Sequence, residues 1–299
     1  MDKKNRIIFE KPDLPALTGR YTVVDMHFHS QYSDGTDTIE AIADRAQQLG
    51  IGVALTDHNE VQGAVKLNSY KKILSIPGIE ITSVEGTHLL VYFYDIKSIE
   101  RFYYRDIVPF MGKDVMSATL LTMETIIARA REYKAVIIFP HPYSAAYTGI
   151  CNSFFSSRQM DALYRQVDGV EVLNASNLHR WNTRCALLGF NLNKAIVGGS
   201  DGHQLNCMGR AVTYAACRRS RRAFLDAVLA SQTKVTGKEI ALLKKMTTNG
   251  SKIKNNYRNY PDLMEKNIRY GYQVINLKSR NLRRNVRQRL HDWERKKQN

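Results

Sequence analysis

Cysteine is scarce in this chain: four residues in 299, Cys151, Cys185, Cys207 and Cys217, with no C-x-x-C pair among them. Neither a disulfide framework nor a zinc ribbon is implied. Long apolar runs are missing as well. Those present, such as the Ala-Val-Ile-Ile-Phe of 135–139, are far too short to span a bilayer. Near the N-terminus, Lys3 and Lys4 lead into 5–12, which offers no apolar core for a signal peptide, so the expected setting is a reduced cytoplasm. Gly50-Ile51-Gly52 has no further glycine at the phosphate-loop spacing, and no Walker sequence, Gly-x-Ser-x-Gly elbow or internal repeat is present. Nucleotide-loop enzymes and serine hydrolases of the elbow type are thereby excluded. Acidic residues are in deficit, 28 against 44 Lys and Arg, for a formal charge of +16. At 43% apolar and 24% charged residues the composition is nevertheless globular, and the length suits one large α/β domain or two ordinary ones.

The positive charge is concentrated. Residues 238–299 hold 17 Lys and Arg against 5 Asp and Glu, whereas 1–237 hold 27 against 23. A nearly neutral front, 1–237, thus carries a basic, mostly helical extension, 238–299, as an appended segment with an anionic partner. Within it Leu282, Val286, Leu290 and Trp293 form a narrow apolar stripe amid Arg283, Arg284, Arg287 and Arg289. That pattern fits a helix packed on the front domain, or one facing nucleic-acid phosphates, an anionic membrane surface or a protein partner.

Strand patterns are expected at 22–27, 51–56, 87–94, 135–140, 169–174 and 194–197. Helical spacing places Ile39, Ile42, Ala46 and Leu49 on one face of 38–49, ended by Gly50, and Met123, Ile126, Ile127 and Ala130 on one face of 122–134. Strand–helix–strand alternation argues for a parallel sheet, closed as a barrel or doubly wound. An aromatic insertion (Phe102, Tyr103, Tyr104, Phe110) interrupts it at about 95–121, and the strand signal stops after residue 230.

The strongest chemical signal is the placement of histidine. Six of the eight (His27, His29, His58, His88, His141, His203) fall within a strand pattern or shortly after one. That is where the active sites of α/β barrels assemble. Asp25, His27 and His29 alternate, so in extended chain they share a face, and two imidazoles so placed can grip one metal ion. Ser200-Asp201-Gly202-His203, Ser33-Asp34-Gly35 and Thr56-Asp57-His58-Asn59 supply further donors. Nitrogen and carboxylate donors without thiolate suit zinc, manganese or iron.

These residues resemble a known family. Asp25-x-His27-x-His29-Ser30-x-x-Ser33-Asp34-Gly35 with Thr56-Asp57-His58-Asn59, then Gly78-Ile79-Glu80-Ile81 and His88-Leu89-Leu90, Phe139-Pro140-His141-Pro142, and Gly199-Ser200-Asp201-Gly202-His203 are similar, in order, to the motifs of the PHP (polymerase and histidinol phosphatase) family. The resemblance implies a distorted (β/α)7 TIM-like barrel and hydrolysis of a phosphomonoester at two or three divalent transition metals. It assigns His27, His29, Glu80 and Asp201 to one metal, Glu80, His141 and His88 to a second, and Asp34, His58 and His203 to a third. The attacking metal-bound hydroxide would be held by Glu80, Asp201 and His141, with Asp25 and Asp57 orienting imidazoles from behind. Candidate substrate contacts are Arg180, Arg210 and His179, with Tyr143 a further possibility. The basic extension favours a nucleotide or oligonucleotide end as substrate. The alternatives are a histidinol-phosphate-type phosphatase of small metabolites, or an idle metal-stabilised module serving a nucleic-acid-binding tail.

Overall fold

A computed structural model describes residues 6–144, 148–151 and 155–240. From residue 241 onward, the extension and its apolar stripe lie outside the described residues. The strands are β1 (Ile7–Ile8), β2 (Thr22–Phe28), β3 (Gly52–Leu55), β4 (Ser75–Thr82), β5 (His88–Tyr92), β6 (Val136–Phe139), β7 (Gly169–Asn174), β8 (Ala195–Gly199), β9 (Ala211–Ala215) and β10 (Lys234–Gly237). The helices are α1 (Leu14–Thr18), α2 (Ile39–Leu49), α3 (Gln62–Leu67), α4 (Ile96–Phe102), α5 (Met123–Glu132), α6 (Ser157–Gln166), α7 (His179–Leu192) and α8 (Arg221–Leu229).

The strands form a single sheet in the order β1-β10-β9-β2-β3-β4-β5-β6-β7-β8. The expectation of a parallel sheet holds for β2-β3-β4 and β6-β7-β8 but not throughout: β5 runs antiparallel to both neighbours, and β9 is antiparallel to β2 and β10. The reason is connection length. Only 83–87 separates β4 from β5, with Ser83 N–H donating to Thr87 O and Gly86 at φ 75°, and a parallel return needs a dozen or more residues. β4 escaped sequence detection because Pro77, Gly78 and Glu80 break its apolar run. β10 likewise corrects the reading that strands stop after residue 230.

The sheet curls into a half-barrel, and among the described residues no ladder joins β8 to β2. Discrete bonds bridge that gap: Asp201 N–H donates to His27 O (2.8 Å) and His29 N–H to Gly202 O (2.9 Å). A Cβ on Gly199 would stand 2.5 Å from His27 N, so this approach requires glycine. Alternate residues of β3, β5 and β6 enter two apolar clusters. Val53, Leu55, Leu89, Val91, Ile137 and Phe139 pack with the buried faces of α2 to α5, while Ala54, Leu90, Tyr92, Val136 and Ile138 pack with Phe224, Leu225 and Val228 of α8. Burial on both faces explains why these strands read as continuous apolar runs.

The expected helices form for the expected reasons. Thr38 caps α2 through Ala41 N–H and Gly50 ends it in the left-handed region, with Ile39, Ile42, Ala43 and Ala46 buried. Thr122 caps α5 over Met123, Ile126, Ile127 and Ala130. The aromatic insertion comprises α4, a π-helical turn (Tyr103–Ile107), a 3-10 turn (Val108–Phe110) and a loop that Asn59 clips in place through Val115 O and Ser117 O. The last described residues still belong to this body: Lys238 N–H donates to Arg210 O and Ile240 N–H to Ala175 O.

Candidate metal centre

Strand ends deliver the site. Asp25 and His27 lie in β2, with His29 just beyond it, and all three are fully buried. The β2–β3 register shifts between Asp25 and Phe28, and the β7–β8 register between Glu171 and Leu173, so both ladders are irregular beside the site. His58 follows β3, Glu80 lies in β4, His141 follows β6, and Asp201 and His203 follow β8. His88 begins β5 yet pairs with Thr82, two residues past Glu80. The antiparallel turn thus brings it to the same end of the sheet. Asn59, His141 and Asp201 adopt positive φ (46°, 28° and 48°), a costly backbone that non-glycine residues keep chiefly at functional sites.

The structure brings together all nine residues expected to hold metal. Glu80, 1% exposed, is the hub. Its Oε2 lies 3.2 Å from His27 Nε2, 3.4 Å from His29 Nε2 and 3.2 Å from His58 Nδ1, and its Oε1 lies 2.9 Å from His88 Nδ1 and 3.2 Å from His141 Nε2. Asp201 Oδ1 approaches His29 Nε2 (3.2 Å) and His27 Nε2 (3.6 Å), while Asp34 Oδ1 approaches His203 Nε2 (3.0 Å), His58 Nε2 (3.7 Å) and His29 Nδ1 (3.8 Å). Three groups have donor atoms mutually within 4.8 Å: His29, Asp34, His58 and His203; His27, His29 and Asp201; and His58, Glu80 and His88. His29 and His58 thus each stand in two groups.

Titration follows from the crowding. Burial alone would keep His27 neutral, but Glu80, Asp201 and Glu171 outweigh it and raise its pKa well above the usual value. His29 and His141 are raised in the same way, against burial, by their carboxylate neighbours. At His58 burial prevails and lowers the pKa to about 3. Burial opposes ionisation of Glu80 and Asp201 too, yet the surrounding imidazoles hold both well below the normal carboxylate range.

Sequence reasoning missed Glu171. Fully buried in β7, it accepts His27 Nδ1–H at Oε1 (3.1 Å), and its Oε2 accepts His141 N–H (2.9 Å) and Asn174 Nδ2–H (3.0 Å). Asn174 Nδ2 also donates to Asp201 Oδ2 (3.1 Å). The signal available was a charged residue in the middle of an otherwise apolar strand, Gly-Val-Glu-Val-Leu-Asn. Asp25 and Asp57 serve loops, not rings. Asp25 accepts from Ser200 N–H (2.8 Å), Ser200 Oγ–H (2.6 Å) and Gly209 N–H (2.9 Å), and Asp57 from Ser30 N–H, Ser30 Oγ–H and Ser33 Oγ–H, each at 2.7 Å. They fix the segments that carry His29, Asp34 and Asp201.

The candidate substrate contacts divide. His179 is exposed and bonds Glu239 Oε1 (3.1 Å), and Arg210 Nε donates to the nearby Asn206 O. Arg180 is exposed at the first turn of α7, its guanidinium carbon 5.0 Å from the Trp181 ring centre. Tyr143, two residues beyond His141, lies parallel to Trp181.

Comparisons with known proteins agree with this architecture. Residues 25–93 match the family model of the PHP domain. An uncharacterized protein of Methanocaldococcus jannaschii is 29% identical over 166 residues, half of this chain and 81% of its own length. Among solved structures, a two-domain protein of Bacteroides vulgatus containing a predicted PHP-like metal-dependent phosphoesterase superposes with TM-score 0.55 at 21% identity, over 80% of this chain and 70% of that one. The lesion-specific endonuclease PfuEndoQ of Pyrococcus furiosus superposes with TM-score 0.60 at 18% identity, over 72% of this chain and 57% of that one. At these identities the superpositions show a shared fold.

Proposed function

We propose that this chain, which carries a PHP domain, is a metal-dependent phosphoesterase that hydrolyses a phosphomonoester, with a nucleotide or oligonucleotide end as the favoured substrate. The observation that carries the reading is Glu80, whose two oxygens divide five imidazoles between them, as a carboxylate bridging two cations would.

The donor set fits metal. His29 Nε2 and His58 Nδ1 are buried and face carboxylate oxygens at 3.2 Å, yet neither makes a hydrogen bond of good geometry, and His29 Nδ1 is equally unserved. Buried nitrogens aimed at oxygens without bonding them are what ligands to a cation look like. Two rings are pinned in the ligating tautomer: His27 holds its proton at Nδ1 against Glu171, and His203 holds its proton at Nδ1 against Asp201 O (3.0 Å). Nε2 of both rings then faces the centre, where a cation would displace any proton it carries. His27, His29, Asp34, His58, Glu80, His88, His141, Asp201 and His203 would hold two or three divalent ions. Such ions polarise phosphoryl oxygens and acidify water.

The protein's own residues do the rest. Asp25 and Asp57 fix the donor loops, and the loop clipped by Asn59 lies against the turn that follows His58. The endonuclease likeness and the basic extension support a nucleic-acid substrate over a small metabolite. The test is hydrolysis of p-nitrophenyl phosphate and of 5′- and 3′-phosphorylated oligonucleotides with added manganese or zinc, by the full chain and by Glu80→Gln. Metal-dependent turnover lost in the variant supports the reading. Metal-independent turnover, or none on any phosphoester, refutes it.

A further inference from the structure

Tyr143, in the loop after β6, and the first two turns of α7 form an aromatic and guanidinium stack that the hydrolytic site does not use. Tyr143 and Trp181 are parallel within 5°, with ring centres 6.4 Å apart. The Arg184 guanidinium carbon lies over both, 4.3 Å from the Tyr143 centre and 5.2 Å from that of Trp181, and Arg180 lies over Trp181. The Arg184 guanidinium is itself planar and lies over both rings, so the pair can take one planar group against it. Arg184 and Arg180 are exposed and could swing aside.

The stack is rigidly placed. Asn177 Nδ2 donates to Tyr143 O (2.7 Å), and Tyr143 N–H and O both meet the buried Cys185 Sγ. Tyr143 is two residues from His141, so its Cα lies within about 7 Å of that ligand's. On the other flank, Glu239 Oε1 accepts from Asn182 Nδ2 of α7 (3.1 Å). An anionic strand lying across this stack meets Arg180, Arg184 and the N-terminal end of α7.

We infer that Tyr143 and Trp181 form a stacking site for an unpaired nucleobase, which takes the place of the Arg184 guanidinium while Arg180 and Arg184 turn to the flanking phosphates. This inference rests on the reading of the substrate as a nucleic-acid end. Aromatic faces that stack bases, interleaved with arginine, are the means by which single strands are held without sequence preference.

Tryptophan emission reads the site directly, because the chain has only Trp181 and Trp293. The full chain carrying Trp293→Phe is titrated in EDTA, without turnover, with a 5′-phosphorylated hexathymidylate and with its fully abasic counterpart. Expected are quenching of Trp181 by the base-bearing strand alone, and about tenfold weaker binding of that strand by Tyr143→Ala, restored by Tyr143→Phe, which keeps the ring. Equal quenching by the abasic strand, or unchanged affinity in Tyr143→Ala, overturns the stacking site. Because binding is measured without metal, that failure leaves the hydrolytic reading standing, while absent hydrolysis in manganese refutes the hydrolytic reading whatever the quenching shows.

Discussion

Replacing Glu171 by glutamine keeps volume and removes one charge from beneath the centre. The side chain is fully buried and serves three donors: His27 Nδ1–H on one oxygen, His141 N–H and Asn174 Nδ2–H on the other. Glutamine has one oxygen. If that oxygen stays on His141 and Asn174, the amide N–H faces His27 Nδ1, which must then accept, and the ring proton moves to Nε2. That nitrogen is the one aimed at Glu80 (3.2 Å) and Asp201 (3.6 Å), so His27 would present a proton where a lone pair is needed. If the amide flips, His141 N–H loses its acceptor, at about 1–3 kcal/mol for a buried group, and Asn174 Nδ2 keeps only Asp201 Oδ2. Either way the carboxylate that supports a ligating imidazole is gone, a loss worth roughly 10- to 100-fold in metal affinity. Calorimetric titration of metal-free protein with manganese measures it, with the melting temperature of metal-free protein as the control for folding. An affinity within about twofold of the unaltered protein would show that Glu171 does not set the tautomer of His27, and the argument would fall.

Other outcomes follow from the same geometry. Glu80→Gln and Asp201→Asn should each abolish turnover with the fold retained; either variant keeping more than a tenth of kcat, a loss under about 1.4 kcal/mol, contradicts its role. Metal binding should release protons at neutral pH and tighten as pH rises, because the raised pKa of His27 leaves it protonated in the metal-free protein, whereas His58, near 3, has no proton to give. Titrations in buffers of different ionisation enthalpy test this, and identical heats in all of them would refute it. Truncation after Ile240 removes a net formal charge of +12 and no expected ligand, so it should raise KM for an oligonucleotide end and flatten its salt dependence. A lowered melting temperature with an unchanged salt slope would instead mean that the extension is structural.

The sequence by itself determined what local chemistry can fix. Thr38 and Gly50 bound α2, Thr122 starts α5, and the alternation Asp25-x-His27-x-His29 places three polar groups on one face, because capping and side-chain period depend only on near neighbours. The candidate donors were legible too, the histidines from their place at strand ends and Glu80 from the resemblance to the PHP motifs. Tertiary structure decided what depends on distant strands. β5 runs antiparallel because 83–87 is too short to cross over, and only that reversal brings His88 to Glu80. Glu171 acquires its part because β7 lies where His27 and His141 converge, a meeting of residues 30 and 144 positions apart along the chain. The parallel faces of Tyr143 and Trp181 likewise arise where the loop after β6 meets the start of α7, a juxtaposition that no spacing in the sequence encodes.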